Sequence, residues 1–268
     1  MNNETAADLQ AEYAALAQLA GTLSADEWRL PSDFYGWTPW DEIAHLCYFD
    51  ETGLLAALDA DAFARDTAAL QARLATGEEI SAIARGKYGH LDGPALLARW
   101  APTAERLADA LAALDPKARL PWYGPPMSAR SFASARLMET WAHGQDVWDT
   151  IGRERPATGR LRHIAHIGVT TYGWTFANRQ LPVPAGPVPF VALDAPDGST
   201  WTWGDAQTGP SVRGPAQDFC LVVTQRRNVA DTALVATPGA ASQWLAIAQC
   251  FAGPPVEGPA PGVRRRAG

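Results

Sequence analysis

The sequence predicts a mainly α-helical protein in which a helical bundle is followed by a small α+β domain. Two features lead to this prediction. Through the first two thirds of the chain, apolar residues recur at intervals of three and four, as on the buried face of an amphipathic helix. After a proline-rich segment at 181–189, short runs of alternating apolar and polar residues indicate strands instead.

Four long helices are expected in the first part of the chain, which suits an up-down bundle. They should cover residues 4–23, 38–58, 94–114 and 128–152, with a weaker helical segment at 61–85 and another helix at roughly 158–179. The second long helix has the clearest start. Thr38 can cap it, Pro39 suits its first position, and Asp41 can bond back to the cap.

The segment 181–189 is the best domain boundary, because its prolines exclude a helix and a well-paired strand. We therefore expect a helical domain over residues 1–180 and an α+β domain over residues 188–252. The second domain should contain a hairpin, a helix, a strand and a closing helix, at 190–203, 215–226, 232–237 and 239–251. The Gly/Pro-rich tail at 253–268 is expected to be disordered.

Composition excludes several classes of function. The net charge of −7 disfavours nucleic acid as a partner, and the basic run at 264–266 is interpreted as part of a solvated tail. The three widely spaced cysteines predict no disulfide framework and fit a cytoplasmic protein. Neither a secretory signal nor an apolar stretch long enough to cross a membrane is visible.

The chemistry is expected on the helix at 128–152. Glu139, His143 and Asp146 are spaced by four and three residues, so a helix places them on one face. His45, on the helix at 38–58, can meet that face if the two helices are neighbours, which is how bundles build cofactor sites. Two imidazoles and one carboxylate form a known catalytic zinc set, and the same donors also suit Fe(II), Mn or Ni.

Simpler interpretations exist for each of these residues. Glu139 and His143 alone would be an ordinary surface contact within a helix, and a lone His45 would be a core or solvated side chain. His163 and His166 form a competing pair, which a polar helix face also explains. No nucleophile elbow, phosphate-binding loop or dinucleotide fingerprint is present.

Aromatic residues suggest walls for a pocket. Eleven tryptophans is a high count, and most are expected to serve the core. Those that lie close in sequence to the polar residues are candidates to contact a substrate: Trp37, Trp40 and Trp122, with Tyr123. The last two belong to the proline-rich loop 121–126, which suits the rim of a pocket.

Two segments resemble a known superfamily. The run 36–46 (GWTPWDEIAHL) resembles the second-helix motif of DinB-like proteins, and the run 138–147 (METWAHGQDV) resembles their later metal-binding helix. Among named relatives, the resemblance is to the mycothiol-dependent maleylpyruvate isomerases, and it covers nearly the whole chain. It implies a DinB-like four-helix bundle with extra helices, followed by a small α+β domain.

The resemblance also implies roles for particular residues. The metal ligands of the family fall on His45, Glu139 and His143, and its acidic residue one turn later falls on Asp146. An arginine that the family's C-terminal domain places near the active site corresponds to Arg226 or Arg227. Mycothiol is the implied co-substrate, and a small electrophilic metabolite is the implied substrate.

Three functions are consistent with this site. The first is a thiol S-transferase or isomerase; the second is a metal-dependent hydrolase or cyclase of secondary metabolism, in which water replaces the thiol. The third is a non-catalytic metal-binding protein with closed coordination. Exposed apolar helix faces would allow a homodimer, but the sequence does not decide the oligomeric state.

Overall fold

A computed structural model describes residues 4–264, apart from the side chain of Thr208. By its internal contacts the chain divides into two compact units, Met1–Arg153 and Glu154–Gly268. The first is helical and the second combines helices with a small sheet. The predicted fold class, mainly α with a small α+β part, is confirmed. No helix among the described residues combines the length and the apolar composition needed to cross a bilayer.

The first unit is built on four long helices: α1 (Glu4–Ala20), α2 (Pro39–Leu58), α5 (Gly93–Ala113) and α6 (Ala129–Thr150). Each of these helices packs against two or more of the others, with α2 against α5 and α1 against α6 as the most extensive pairs. Two shorter helices, α3 (Ala60–Ala75) and α4 (Ile80–Tyr88), pack on α2. Short strands β1 (Arg119–Leu120) and β2 (Met127–Ser128) pair antiparallel and flank the loop 121–126.

The two helices expected to carry the site begin where the sequence predicts. Thr38 accepts a hydrogen bond from the backbone N–H of Asp41, whose carboxylate accepts one from the backbone N–H of Thr38, and Pro39 opens α2. Ser128 caps α6 through the backbone N–H of Ser131. Caps of this kind satisfy backbone donors that the first helical turn leaves without partners.

A buried polar network ties the four long helices together. The Asp50 carboxylate on α2 accepts hydrogen bonds from the Tyr13 hydroxyl at 2.6 Å and from Trp100 Nε1 at 2.8 Å. Arg136 on α6 donates to Oδ1 of the same carboxylate through Nε at 2.8 Å, and its Nη2 lies 2.8 Å from that oxygen as part of the ion pair. Because α1, α2, α5 and α6 each supply one member, this network fixes their register.

The second unit contains a four-stranded sheet with the strand order β4 (Thr200–Trp203), β3 (Phe190–Asp194), β5 (Ser211–Pro215) and β6 (Val235–Ala236). The strands β3 and β4 form the predicted hairpin. The predicted helices are α9 (Ala216–Val223) and α10 (Ala240–Ile247). Strand β5 (Ser211–Pro215), which was not predicted from the sequence, pairs parallel with β3 and occupies a central position in the sheet.

The division of the chain differs from the predicted boundary at 181–189. The helical segment 158–179 forms α7 (Leu161–Thr170) and α8 (Tyr172–Asn178), and both belong to the second unit. The reason is packing: α7 lies so close to α9 that a Cβ atom added at Gly168 would stand 2.9 Å from side-chain atoms of Phe219 and Val223. The prolines therefore mark a loop inside this unit.

The C-terminal tail also differs from the prediction of disorder, as far as Arg264. Its backbone is held by side chains of the second unit: Gln225 Nε2 donates to the Val256 carbonyl at 3.0 Å, and Asp231 accepts from the Gly262 N–H at 2.7 Å. The predicted tail residues 265–268 lie outside the described residues.

Short 3₁₀ helices complete the secondary structure of the described residues, at Glu27–Arg29, Ala206–Thr208 and Val229–Asp231.

Candidate metal centre

The predicted ligands converge on one point in the first unit. Helices α2 and α6 run antiparallel, because Glu42 pairs with His143 and Asp50 pairs with Arg136. Glu139 Oε2 lies 3.7 Å from His45 Nε2 and 3.4 Å from His143 Nε2. One potential ligand atom from each of the three residues lies within 4.8 Å of the other two. His45, Glu139 and His143 therefore meet as the sequence analysis expected.

These spacings fit a bound divalent ion better than a set of hydrogen bonds. Hydrogen bonds from nitrogen to oxygen cluster at about 2.7–3.2 Å. A tetrahedral zinc ion that binds nitrogen and oxygen at about 2.0–2.2 Å holds its ligand atoms roughly 3.3–3.6 Å apart. The observed 3.4 and 3.7 Å lie close to the second range. The donor set and its geometry thus suit one divalent ion held by these three residues.

The charge state of Glu139 also suits a ligand. Burial raises the pKa of this carboxyl, but the contacts with His143 and His45 outweigh that effect and hold the pKa well below its usual range. Only an ionised carboxylate offers its oxygens as metal ligands without first losing a proton. Glu139 is therefore ready to bind a cation at neutral pH.

A carboxylate that the sequence analysis missed supports the set. Glu42 Oε2 lies 2.7 Å from Nδ1 of His143, and Glu42 is fully buried. Asp146 is also buried and belongs with Glu42 and His143 to a second group whose ligand atoms lie within 4.8 Å of one another. The spacing could have revealed Glu42, since it stands three residues before His45 and a helix places such residues on one face.

Aromatic rings enclose the two imidazoles. The Trp37 ring stacks on His143 with an interplanar angle of 12° and also contacts His45. Phe34 meets His143 edge-on. The sequence analysis predicted Trp37 in this place but missed Phe34, whose loop is shaped by a positive φ of 51° at Tyr35.

On the other side, Phe49 contacts the His45 ring at a centroid distance of 4.7 Å. Phe49 in turn contacts the rings of Trp122 and Tyr123, whose loop lies between β1 and β2. Both predicted aromatic residues of this loop are therefore part of the wall, but they reach the site through Phe49 rather than by contact with the imidazoles.

Trp40 lines a cavity that does not contain the three candidate ligands, and its predicted contact with a substrate stays a prediction. Its indole N–H donates to the Leu91 carbonyl at 3.0 Å. The ring lines a different cavity of about 630 Å³, together with Trp28, Arg29 and Arg85. None of His45, Glu139 and His143 lines that cavity. The reason is helical geometry, because Trp40 leaves the first turn of α2 in a different direction from Glu42 and His45.

The remaining candidates lie in the second unit. Arg226 and Arg227 follow α9, are buried, and donate through Nη1 to the backbone carbonyls of Thr224 and Arg226, each at 2.8 Å. Their predicted role near the metal stays a prediction. His166 accepts a hydrogen bond from Trp203 Nε1 at 3.3 Å. Neither it nor His163 joins a group of three potential ligands within the described residues.

Comparison with known families places the site in context. The family described as the mycothiol maleylpyruvate isomerase N-terminal domain matches residues 9–148, a range that contains all three candidate ligands. Two uncharacterised proteins, from two strains of Mycobacterium tuberculosis, are each 43% identical to the chain over 257 residues, which is 94% of this chain and 96% of the relative.

Solved structures show the same fold. The chain is similar to the mycothiol-dependent maleylpyruvate isomerase with a TM-score of 0.57 at 17% identity, over 88% of this chain and 92% of that chain. A point mutant of that isomerase gives a TM-score of 0.55, also at 17% identity, over 83% of this chain and 88% of that chain.

Proposed function

Because the chain belongs to the family of mycothiol maleylpyruvate isomerase N-terminal domains, we propose that it is a metal-dependent enzyme acting on a small electrophilic metabolite with a low-molecular-weight thiol. The observation that carries this proposal is the convergence of His45, Glu139 and His143 from two helices at spacings that suit one divalent ion. The thiol that the family name indicates is mycothiol, and the reaction would be S-transfer or thiol-assisted isomerisation.

The three converging residues would hold the ion, and zinc suits two nitrogens and one oxygen best. Such an ion is a Lewis acid that lowers the pKa of a thiol or water bound to it. Aromatic side chains of the protein orient and enclose the two imidazole rings. Trp37 and Phe34 hold the plane of the His143 ring, and Phe49 contacts the His45 ring. Rings of this kind exclude water and favour a flat or apolar substrate.

Two of the protein's own thiols, Cys47 and Cys220, are poor nucleophiles, which supports an external thiol. All three cysteines are buried and free of disulfides. Burial raises the pKa of Cys47 to about 12 and the pKa of Cys220 well above its usual value. Since the thiolate is the reactive form, neither of these two side chains is prepared for attack at neutral pH.

Asp146 would support the site rather than touch substrate. It is 3% exposed and lies with Glu42 beside His143. A carboxylate in that position orients a ligating imidazole and raises its basicity. A proton-transfer role would require a path to the substrate, which such deep burial disfavours.

The proposal is tested with the purified full chain and three variants, His45→Ala, His143→Ala and His166→Ala. Elemental analysis should give one zinc per chain in the wild type and in His166→Ala, and loss of that zinc in the other two. His166 is the matched control, because it belongs to the competing histidine pair. Loss of zinc from His166→Ala alone would overturn the assignment.

The reaction is tested with maleylpyruvate and with a chromogenic electrophile, each with mycothiol, with cysteine and without thiol. Metal-dependent turnover that requires mycothiol is expected. Turnover without any thiol would favour the hydrolase or cyclase alternative. A protein that holds zinc through four of its own side chains and turns over nothing would be a binding protein, and the enzyme proposal would fail.

A further inference from the structure

We propose that Glu42 is the positioning residue for His143: it accepts the hydrogen bond of Nδ1–H and so fixes the tautomer and ring orientation that direct Nε2 toward Glu139 and His45. The link to metal affinity rests on the proposed function. The assignment of the tautomer does not, because it follows from the contacts of the chain alone.

The position of His143 Nδ1 allows it one role, which is to donate a hydrogen bond to Glu42. Glu42 Oε2 stands 2.7 Å from Nδ1, a length typical of a charge-assisted hydrogen bond. Glu42 is 0% exposed and His143 is 5% exposed, so bulk water does not compete for this contact. A carboxylate accepts hydrogen bonds only, so the neutral imidazole must carry its proton on Nδ1. Nε2 is then the nitrogen that carries no proton, and it lies 3.4 Å from Glu139 Oε2.

A second metal ion among Glu42, His143 and Asp146 is the rival interpretation. These residues form a group with ligand atoms within 4.8 Å of one another. An ion between Nδ1 and the Glu42 carboxylate would separate the two atoms by roughly 3.3–3.6 Å, as zinc does. The observed separation of 2.7 Å is too short for that arrangement and right for a hydrogen bond. The group therefore supports a ligand and is not a site of its own.

Two residues of α2, Glu42 and His45, have different roles at the site. Glu42 and His45 stand three residues apart, on one face of the helix. His45 offers its own nitrogen toward Glu139, while Glu42 holds the imidazole of the opposite helix. A rotation that tilts the His143 ring out of its plane would also weaken its stack with Trp37, which lies at an angle of 12°. The ring is thus held both at its edge and on its face.

Losing such a support costs a metal site about tenfold to a hundredfold in affinity. We expect Glu42→Gln, which keeps the shape but loses the charge, to weaken zinc binding about tenfold, and Glu42→Ala to weaken it by up to about a hundredfold. Glu51→Gln is the matched control. Glu51 is on the same helix, but it pairs with Lys87 and Arg99 outside the site, so its zinc affinity should stay within about twofold of wild type.

The experiment combines two measurements on the full chain. Competition with a chromogenic chelator gives the zinc affinity of the wild type and the three glutamate variants. Long-range ¹H–¹⁵N NMR on histidine-labelled, zinc-free protein at alkaline pH gives the tautomer of each imidazole, and the signal of His143 is identified by its absence in His143→Ala. A protonated Nδ1 is expected for His143 in the wild type and a mixture of tautomers in Glu42→Ala.

The outcomes separate this inference from the proposed function. If His45→Ala and His143→Ala lose zinc while Glu42→Gln and Glu42→Ala keep wild-type affinity, Glu42 has no positioning role. A proton on Nε2 of His143 in the wild type would equally overturn it. If none of the histidine variants changes zinc binding, the metal site itself fails, while the NMR spectrum still decides the tautomer.

Discussion

Two buried carboxylates on α2 both reach across to α6, yet they differ in what surrounds them. Asp50 binds Arg136, and it also accepts from Tyr13 and Trp100, all at hydrogen-bonding distances of 2.6–2.8 Å. Glu42 binds His143, whose other nitrogen stands 3.4 Å from Glu139. The first cluster is closed by its own contacts. The second presents lone pairs at spacings that a cation would bridge.

This difference indicates that the cluster around Asp50 stabilises the fold and that the cluster around Glu42 serves function. Burial lowers the pKa of Arg136, but Asp50, Tyr13 and Glu139 together outweigh this effect and raise the pKa above its usual value, so the guanidinium stays charged. A buried ion pair needs further hydrogen bonds to offset its desolvation, and Tyr13 and Trp100 supply them to the Asp50 carboxylate. Two imidazoles that converge with a carboxylate offer ligand atoms for a metal ion instead.

Removal of Arg136 should have the largest effect. Arg136→Met leaves the Asp50 charge buried without a cation, which costs about 3–5 kcal/mol of unfolding free energy. Urea denaturation followed by circular dichroism measures this cost. The double variant Asp50→Asn/Arg136→Met should recover part of it, because no uncompensated charge remains.

Arg99→Met is the matched control for that experiment. Arg99 pairs with Glu51 at the surface, and its side chain is 50% exposed, so its removal should cost less than about 1 kcal/mol. Equal destabilisation by Arg136→Met and Arg99→Met would mean that the Asp50 cluster does not fix the helices.

Glu139→Gln should show the opposite pattern. Its contacts at 3.4 and 3.7 Å exceed ordinary hydrogen bonds, and its side chain is 26% exposed. At about pH 8, where free imidazoles are neutral, we expect the unfolding free energy of zinc-free protein to change by less than about 1 kcal/mol. Zinc affinity should fall by more than about tenfold, because a neutral amide oxygen is a weaker ligand than a carboxylate.

The same two measurements, chemical denaturation and chelator competition, check this prediction. A loss of several kcal/mol in the zinc-free protein would show that Glu139 is structural. The contrast between the two carboxylate clusters would then disappear.

For the candidate metal site, much of this contrast could be predicted from the sequence. Helical spacing alone placed Glu139, His143 and Asp146 on one face, and the cap at Thr38 fixed where α2 begins. The meeting of α2 with α6 depended on the resemblance, because spacing within one helix says nothing about which helix lies opposite. Glu42 was missed although the same spacing rule would have found it beside His45.

The remaining differences come from contacts between residues distant in sequence. The parallel pairing of β5 with β3 cannot be read from a run that contains Gly214 and Pro215, since both residues are depleted in strands. The proline-rich segment at 181–189 looked like a boundary, but the packing of α7 on α9 decides the division of the chain. Prolines and glycines mark the ends of helices and strands, but they do not mark where one compact unit ends and the next begins.

Glu51, the next residue after Asp50, gives the smallest and sharpest test, because it forms the surface version of the same contact. Burial raises the pKa of Glu51, but Lys87, Tyr88 and Arg99 lower it by more than burial raises it, so the pKa ends below the ordinary value of 4.5. A carboxyl with a depressed pKa in the folded state stabilises the protein above its unfolded pKa, and this contribution is lost as the pH falls through the folded pKa. The difference in unfolding free energy between wild type and Glu51→Gln should therefore be constant above about pH 5.5, stay below about 1 kcal/mol, and shrink below about pH 4.5. Urea denaturation across this pH range measures this difference in unfolding free energy. If the difference does not change with pH, Glu51 contributes through packing. Asp50 would then be the only one of the two carboxylates whose charge matters for stability.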